Sequence, residues 1–368
     1  MDTEASSPAT MDTQLFQAHA AIAEYARAEG SKIPTDEQAL IIAKGRALLS
    51  GYHARWSGEN ALWQVIDQEI ERPFALSLVN PKTGRASKSF GMGGMLDVYA
   101  RRLDTGRKLI VDHKTTSEDI SDPASPYLRQ LAVDAQASQY MLAKWLQNEK
   151  PDGALWDVIK KPTIAPRKLT KAELATLAET GLYCGAWFSP DLVEQVQASG
   201  RESVSMYEAR LADDCIRVRP SFYYLRREVP RLDGAVLKYA ADLWDHSQDI
   251  LRARRLGRWP EHSGACLLYG SPCEYLGICS GHDSTDSGRW VSRDQLHPEL
   301  ESNSDLLTHS RVRCYQTCPA KHYYKYELRL ERADRVEREA LYFGSCVHAG
   351  LEAWWRFLIP NEETTING

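Results

Sequence analysis

The sequence predicts an α/β protein, and three observations predict it. Ala-rich stretches with helical periodicity open the chain, a strand–turn–strand pattern lies near residue 100, and a long helix-forming segment follows that hairpin. With 368 residues, 43% of them hydrophobic and 26% charged, the chain is long and apolar enough for a folded protein with a substantial core, either one elaborated α/β domain or two to three domains.

Residues 12–30, "DTQLFQAHAAIAEYARAEG", read as a helix ending on Gly30. "DEQALIIAKGRALLSGYHARW" is a second amphipathic helix, for which Asp36 is the expected N-cap. The later half of residues 61–80 alternates apolar and polar side chains, as a strand does, and "PKTGR" is a turn. "GGMLDVYARRL" and "KLIVDHKTT" then form a hairpin around "DTGR". "SPYLRQLAVDAQASQYMLAKWLQ" is expected as one helix, residues 150–200 as an extended insertion with a short helix, residues 215–230 as a strand and residues 232–256 as a long helix. The Ser-, Asp- and Gly-rich residues 280–305 read as a linker, followed by two helical segments, "SRVRCYQTCPAKHYYKYELRL" and "ALYFGSCVHAGLEAWWRFL".

The formal net charge of −5 does not mark a nucleic-acid binder, although a local basic groove is compatible with it. The N-terminus lacks an apolar signal core, and no run approaches the roughly 18 apolar residues of a membrane span. The expected compartment is therefore the cytoplasm, with no membrane partner and with thiols kept reduced. There, the clustering of Cys266, Cys273 and Cys279, and of Cys314 and Cys318, points to metal before disulfide. Cys184, Cys215 and Cys346 are isolated and expected to be buried thiols.

The hairpin carries the chemistry. Asp112 and Lys114 are two apart on a strand and share a face. With Thr105 and Gly106 at the centre of the turn, Asp97 lies opposite Lys114 and Tyr99 opposite Asp112. A three-residue loop would put Asp97 on the wrong face, so a common site requires a loop of two or four residues or a compensating bulge. Two carboxylates and a lysine together suit a hydrolytic Mg²⁺ site, in which the metal polarises a phosphoryl oxygen and the ammonium orients water or offsets developing charge. The plain alternative is a cross-strand salt bridge. Gln136 and Tyr140 share a face of the next helix, where they either order such a site or simply satisfy a helix edge.

Taken together, "GMLD", "VDHK" and "QASQY" resemble, in order, the G-x-x-D, D-x-K and Q-x-x-x-Y motifs of the PD-(D/E)xK nuclease superfamily, in its RecB-type exonuclease branch. The resemblance implies a restriction-endonuclease-like core, a central mixed sheet flanked by helices. It implies Asp97, Asp112 and Lys114 as catalytic residues, with Mg²⁺ or Mn²⁺ held by Asp97, Asp112, His348 and the carbonyl of His113. Gln136 and Tyr140 would position DNA. Glu69 and Glu352 are candidate secondary carboxylates. His348 enters through "FGSCVHAGLEAWW", which is similar to the branch's G-x-x-x-H helix with Gly344 as its glycine.

In the family that helix, and a Cys-Pro helix like "RCYQTCP", precede the hairpin; here both follow it. Read from Asp305 to the end and then from Met11 to Cys279, the chain resembles one nuclease in circularly permuted order. The organisation expected is an unstructured segment 1–11, a nuclease core 12–279 with a Cys-rich end, the linker 280–305, and a helical segment 306–368 that completes the core. A flexible linker of about 25 residues reaches roughly 25–30 Å, enough for such a join. The alternatives are the truncated start of a second copy, completion of a neighbouring chain, or a join of non-contiguous pieces. The resemblance also implies an iron–sulfur cluster on Cys266, Cys273, Cys279 and Cys318, with Cys314 as a substitute ligand, zinc as the alternative metal, and a metal-free loop as the third option.

The Tyr- and Arg-rich runs "HYYKYELRLER" and "RPSFYYLRRE" either stack bases or pack on a core edge. The function expected is a metal-dependent deoxyribonuclease, an exonuclease on DNA ends or single strands, in recombination, repair or phage DNA processing. The alternatives are a nuclease fold that binds DNA or protein without cutting, and a zinc-stapled structural protein.

Overall fold

The computed structural model describes residues 8–29, 33–297, 299–300, 305–334 and 339–359, with backbone alone for 8–12 and Tyr269. Two long helices open the chain, α1 (Pro8–Glu29) and α2 (Thr35–Trp56). Three strands follow, β1 (Trp63–Val79), β2 (Ala86–Arg102) and β3 (Lys108–Thr116), then α3 (Pro126–Val133), α4 (Ala135–Leu146) and β4 (Gly153–Lys160). An insertion carries α5 (Lys171–Thr180), β5 (Leu182–Tyr183), β6 (Ala186–Trp187), α6 (Pro190–Ser199), α7 (Val204–Asp213) and the single turn α8 (Pro220–Tyr223). The chain returns as β7 (Tyr224–Val229) and α9 (Asp233–Leu256), then passes α10 (Leu276–Cys279) and β8 (Trp290–Ser292). It closes with β9 (Asp305–Leu307), α11 (His309–Thr317), α12 (Pro319–His322), β10 (Leu330–Arg332) and α13 (Glu339–Arg356).

The main sheet runs β1-β2-β3-β4-β7, with β9 added beside β2. Among the described residues only β3–β4 and β2–β9 are parallel pairs. Strand alternation sorts side chains into two cores. Val98, Ala100, Leu109 and Val111 face α1, α2 and α13. Tyr99 and Ile110 face the opposite layer, where Tyr140 of α4, Leu243 of α9 and Val312 of α11 pack. The result is a sheet sandwiched between helices. Among the described residues no helix is long and apolar enough to cross a membrane.

The C-terminal elements are built into this sandwich. Tyr342, Phe343, Cys346, Val347, Gly350, Leu351, Trp354 and Trp355 recur at helical spacing and are buried, so α13 presents a broad apolar face. It docks on the N-terminal helices, with Gln14 Nε2 donating to Trp354 O at 2.9 Å and Tyr342 Oη to Ala26 O at 2.6 Å. A second attachment is ionic. Arg254 of α9 bonds Asp305 at 2.5 Å and Glu327 at 2.7 Å, and buried Arg311 bonds the same two carboxylates.

Several expectations are corrected. Helix α2 begins at Thr35 behind Pro34, whose φ of −54° suits a helix start, so Asp36 sits in the first turn without capping it. The helix expected around residues 126–147 is two helices: Asp134 is extended, and its side chain accepts from the Gln136 amide, capping α4. Strand β4, absent from the sequence reading, is buried throughout because it pairs on both edges and is covered on both faces, which erases alternation. The strand expected over 215–230 is confined to β7. Within the expected linker, β8 pairs with β10, and Trp290 stacks on Tyr275 at 5.1 Å, so this stretch is partly structured. In the Tyr-rich runs, Tyr223, Tyr224 and Tyr326 are buried in packing. The expected unstructured N-terminus lies outside the described residues except from Pro8 on, where α1 has already begun.

Candidate active site

The site forms where two strands part. β2 and β3 pair from Arg101↔Lys108 to Val98↔Val111. Beyond that point β9 takes over beside β2, pairing Met92↔Leu307 through Phe90↔Asp305. The turn is a four-residue loop closed by Arg102 N–H donating to Arg107 O at 2.8 Å, so its centre is Asp104 and Thr105 rather than Thr105 and Gly106. The register is therefore two positions from the expected one: continued by one residue, it sets Asp97 opposite Asp112, not Lys114. Because the loop is even, the faces are kept and both carboxylates sit on one side.

Asp97 is pinned there. Its Oδ2 accepts the His113 backbone N–H at 2.7 Å. In an extended residue N–H and C=O point to the same edge, so the His113 carbonyl also faces the gap. The His113 ring lies on the far face, 6.1 Å from Trp355 and 3.6 Å from Asp157 Oδ2, and burial holds its pKa well below the usual range. The ring thus stays neutral, and only the backbone of His113 is offered to the site.

Lys114 Nζ lies 2.5 Å from Asp112 Oδ2 and donates to Gln136 Oε1 at 2.8 Å. Gln136 Nε2 in turn donates to Tyr140 Oη at 2.6 Å. Because Asp134 fixes the start of α4, Gln136 falls in its first turn, facing the lysine. Gln136 and Tyr140 thus order Lys114 in the conformation seen.

His348 arrives from the opposite layer on α13. Its Nδ1 is 3.8 Å from Asp97 Oδ2 and 3.8 Å from Glu71 Oε1. A Cβ on Gly344, one turn earlier, would stand 3.1 Å from Thr115 Oγ1, so glycine lets α13 approach β3 closely. Glu71, Asp97 and His348 each offer one ligand atom, all within 4.8 Å of one another. Glu71 and His348 line a cleft of about 610 Å³ together with Thr115, Lys161 and Glu352.

Glu71 was missed by the sequence reading, which singled out Glu69 and Glu352. Glu69 instead pairs with Lys144 at 2.6 Å, and Glu352 is engaged by Arg356 at 2.5 Å. The cause is a bulge in β1: pairing jumps from Val65↔Ala100 to Ile70↔Val98. An unbroken register would have set Gln68 opposite Asp97; the bulge sets Glu71 there. No local sequence signal announces it.

Burial raises the pKa of Asp97, opposed by His348, and burial pushes Asp112 up to about 7, opposed by Lys114. At Lys114, burial disfavours charge, but Asp112 and Asp97 outweigh it and its pKa rises. At His348, burial is likewise outweighed, by Glu71 and Asp97. A carboxylate-rich, partly desolvated site with an imidazole and a backbone carbonyl fits a hard divalent cation such as Mg²⁺ or Mn²⁺.

Cys266, Cys273, Cys279 and Cys318 line one cavity of about 210 Å³; Cys314 is not among its walls. Among the described residues no three of these thiols come within 4.8 Å of one another. Tetrahedral zinc with Zn–S near 2.3 Å needs sulfurs about 3.8 Å apart.

A mixed sheet between helix layers, with acidic residues and a lysine at a strand fork, is consistent with a PD-(D/E)XK-like nuclease fold. Residues 306–367 match the family model of the PD-(D/E)XK nuclease superfamily, which supports that superfamily for this chain and suggests a nuclease with a nucleic-acid substrate. The matched stretch holds His348 but not the Asp97–Asp112 hairpin. Nucleases of this superfamily generally use Mg²⁺ or Mn²⁺. No curated protein and no solved structure matches the chain.

Proposed function

We propose that the protein is a Mg²⁺- or Mn²⁺-dependent deoxyribonuclease of the RecB-type branch, acting as an exonuclease on DNA ends, in recombination, repair or phage DNA processing. The observation that carries this is convergence. His348 comes from the C-terminal helix and stands 3.8 Å from Asp97, at the fork that also holds Asp112 and Lys114. A protein that needed only a cross-strand salt bridge would have no reason to bring an imidazole there.

Asp97, Asp112, His348 and the His113 carbonyl would hold the cation. When bound, it supplies Lewis-acid polarisation of a phosphoryl oxygen and a more acidic water. Asp97 stays oriented through the His113 N–H, which leaves its second oxygen to ligation. Lys114, fixed between Asp112 and Gln136, donates to the attacking water or to the phosphate oxygen that gains charge. Gln136 and Tyr140 keep the ammonium aimed. The chain order is read as a circular permutation, supported by the packing of β9, α11 and α13 on the N-terminal elements of the same chain. The four thiols of the second cavity are proposed to hold a 4Fe–4S cluster with a structural role, supported by their common lining.

The test is a nuclease assay on linear DNA with Mg²⁺ or Mn²⁺, comparing the full chain with Asp112→Ala and Lys114→Ala. Loss of cleavage in both variants, at unchanged folding, is expected. Equal cleavage in all three would refute the site. DNA binding without cleavage by the unaltered chain would favour the binding-module alternative.

A further inference from the structure

We infer that Glu71 is a direct ligand of the divalent cation, together with Asp97 and His348, and that the part-buried Glu69–Lys144 pair is the device that presents it. The inference rests on the nuclease reading and extends it with a carboxylate outside the three motifs.

Three observations meet at this point. First, the ligand atoms of Glu71, Asp97 and His348 lie within 4.8 Å of one another, a group that Asp112 does not join. Asp112 is taken up by Lys114, while His348 is the only cationic group within ion-pair distance of Glu71 among the described residues. Two carboxylates this close, facing one imidazole, form a position in need of further positive charge.

Second, Glu71 is delivered by an unusual backbone. Asp67, Gln68 and Glu71 have φ of 47°, 55° and 47°, in the left-handed region that non-glycine residues rarely occupy. The bulge they make is what sets Glu71 across from Asp97.

Third, that bulge is tied down from the layer beneath. Lys144 of α4 is 2% exposed, donates to Glu69 Oε2 at 2.6 Å, and lies 4.3 Å over the ring of Tyr99. A lysine ammonium is seldom buried without a dedicated partner. Here it clamps the residue two positions before Glu71, so Glu69 and Lys144 act as positioning residues and Glu71 as the ligand.

The experiment titrates Mn²⁺ into the metal-stripped full chain, by calorimetry and by the electron paramagnetic resonance signal of free Mn²⁺. It compares unaltered protein with Glu71→Gln, Glu71→Asp, Asp97→Asn and the double change Glu69→Gln with Lys144→Met. Glu71→Gln should weaken Mn²⁺ binding by about tenfold or more. Glu71→Asp should recover part of it, and the double variant should lose roughly tenfold through misplacement of the bulge. Melting in chelator checks that each variant is folded. Mn²⁺ affinity unchanged in Glu71→Gln, while Asp97→Asn loses it, would overturn the inference and leave the nuclease reading standing. An unaltered chain that neither binds Mn²⁺ nor cuts DNA would overturn both.

Discussion

Gly350 offers the sharpest test of how α13 delivers His348. A Cβ at this position would stand 2.4 Å from Leu49 Cδ1 and 2.8 Å from Ile22 Cγ1. Both neighbours are fully buried, at 0% exposure, so neither has free space to yield into. Gly350→Ala gains about 1 kcal/mol of helix propensity but incurs an overpacking cost of about 1–3 kcal/mol. The net expectation is a loss of up to about 2 kcal/mol. The natural control is Gly234→Ala in the first turn of α9, where nothing lies within 4 Å of the added methyl, so the same chemical change should be neutral or stabilising. Urea unfolding in chelator measures both. His348 is two residues away on the same helix, so the shift that relieves the clash should also lower nuclease activity in Gly350→Ala and spare it in Gly234→Ala. If Gly350→Ala proves as stable as Gly234→Ala, the close approach of α13 to α1 and α2 is not as described, and the placement of His348 falls with it.

Further expectations concern the buried charges and the thiols. Asp157 accepts from Tyr52 Oη at 2.5 Å and from Arg226 Nε at 3.2 Å; Asp157→Ala strands a buried guanidinium and should cost about 3–5 kcal/mol in urea unfolding, and a loss below about 1 kcal/mol would contradict the network. For Asp112, the folded carboxyl has its pKa raised from 3.8 to about 7, so its contribution to stability is full below the ordinary value and is lost as pH rises through about 7. Metal-free protein should therefore melt lower at about pH 8 than at about pH 5.5, with part of that slope absent from Asp112→Asn; an identical slope in the variant would refute the assignment. Cys266→Ser, Cys273→Ser, Cys279→Ser and Cys318→Ser should each lower the iron content of purified protein, whereas Cys314→Ser should keep it, since Cys314 does not line the cavity. Iron absent from the unaltered protein, or lost equally from Cys314→Ser, would count against the cluster.

The sequence by itself determined the local parts. Period-2 alternation put Asp112 and Lys114 on one side of their strand, and helical spacing put Gln136 with Tyr140 and Gly344 with His348. Each of these depends only on the chain's own geometry over a few residues, which is why it is legible without a partner. Tertiary structure decided the rest. The hairpin register turned on closure of a four-residue loop. The fully buried β4 left no alternation to read. A three-residue bulge shifts β1 against β2 and sets Glu71, not Gln68, across from Asp97, while Glu69 turns to Lys144 of another layer. And the approach of His348 to Asp97 depends on α13 docking between α1 and α2, a contact between distant parts of the chain whose free energy comes from burial of apolar surface and leaves no mark on either segment alone.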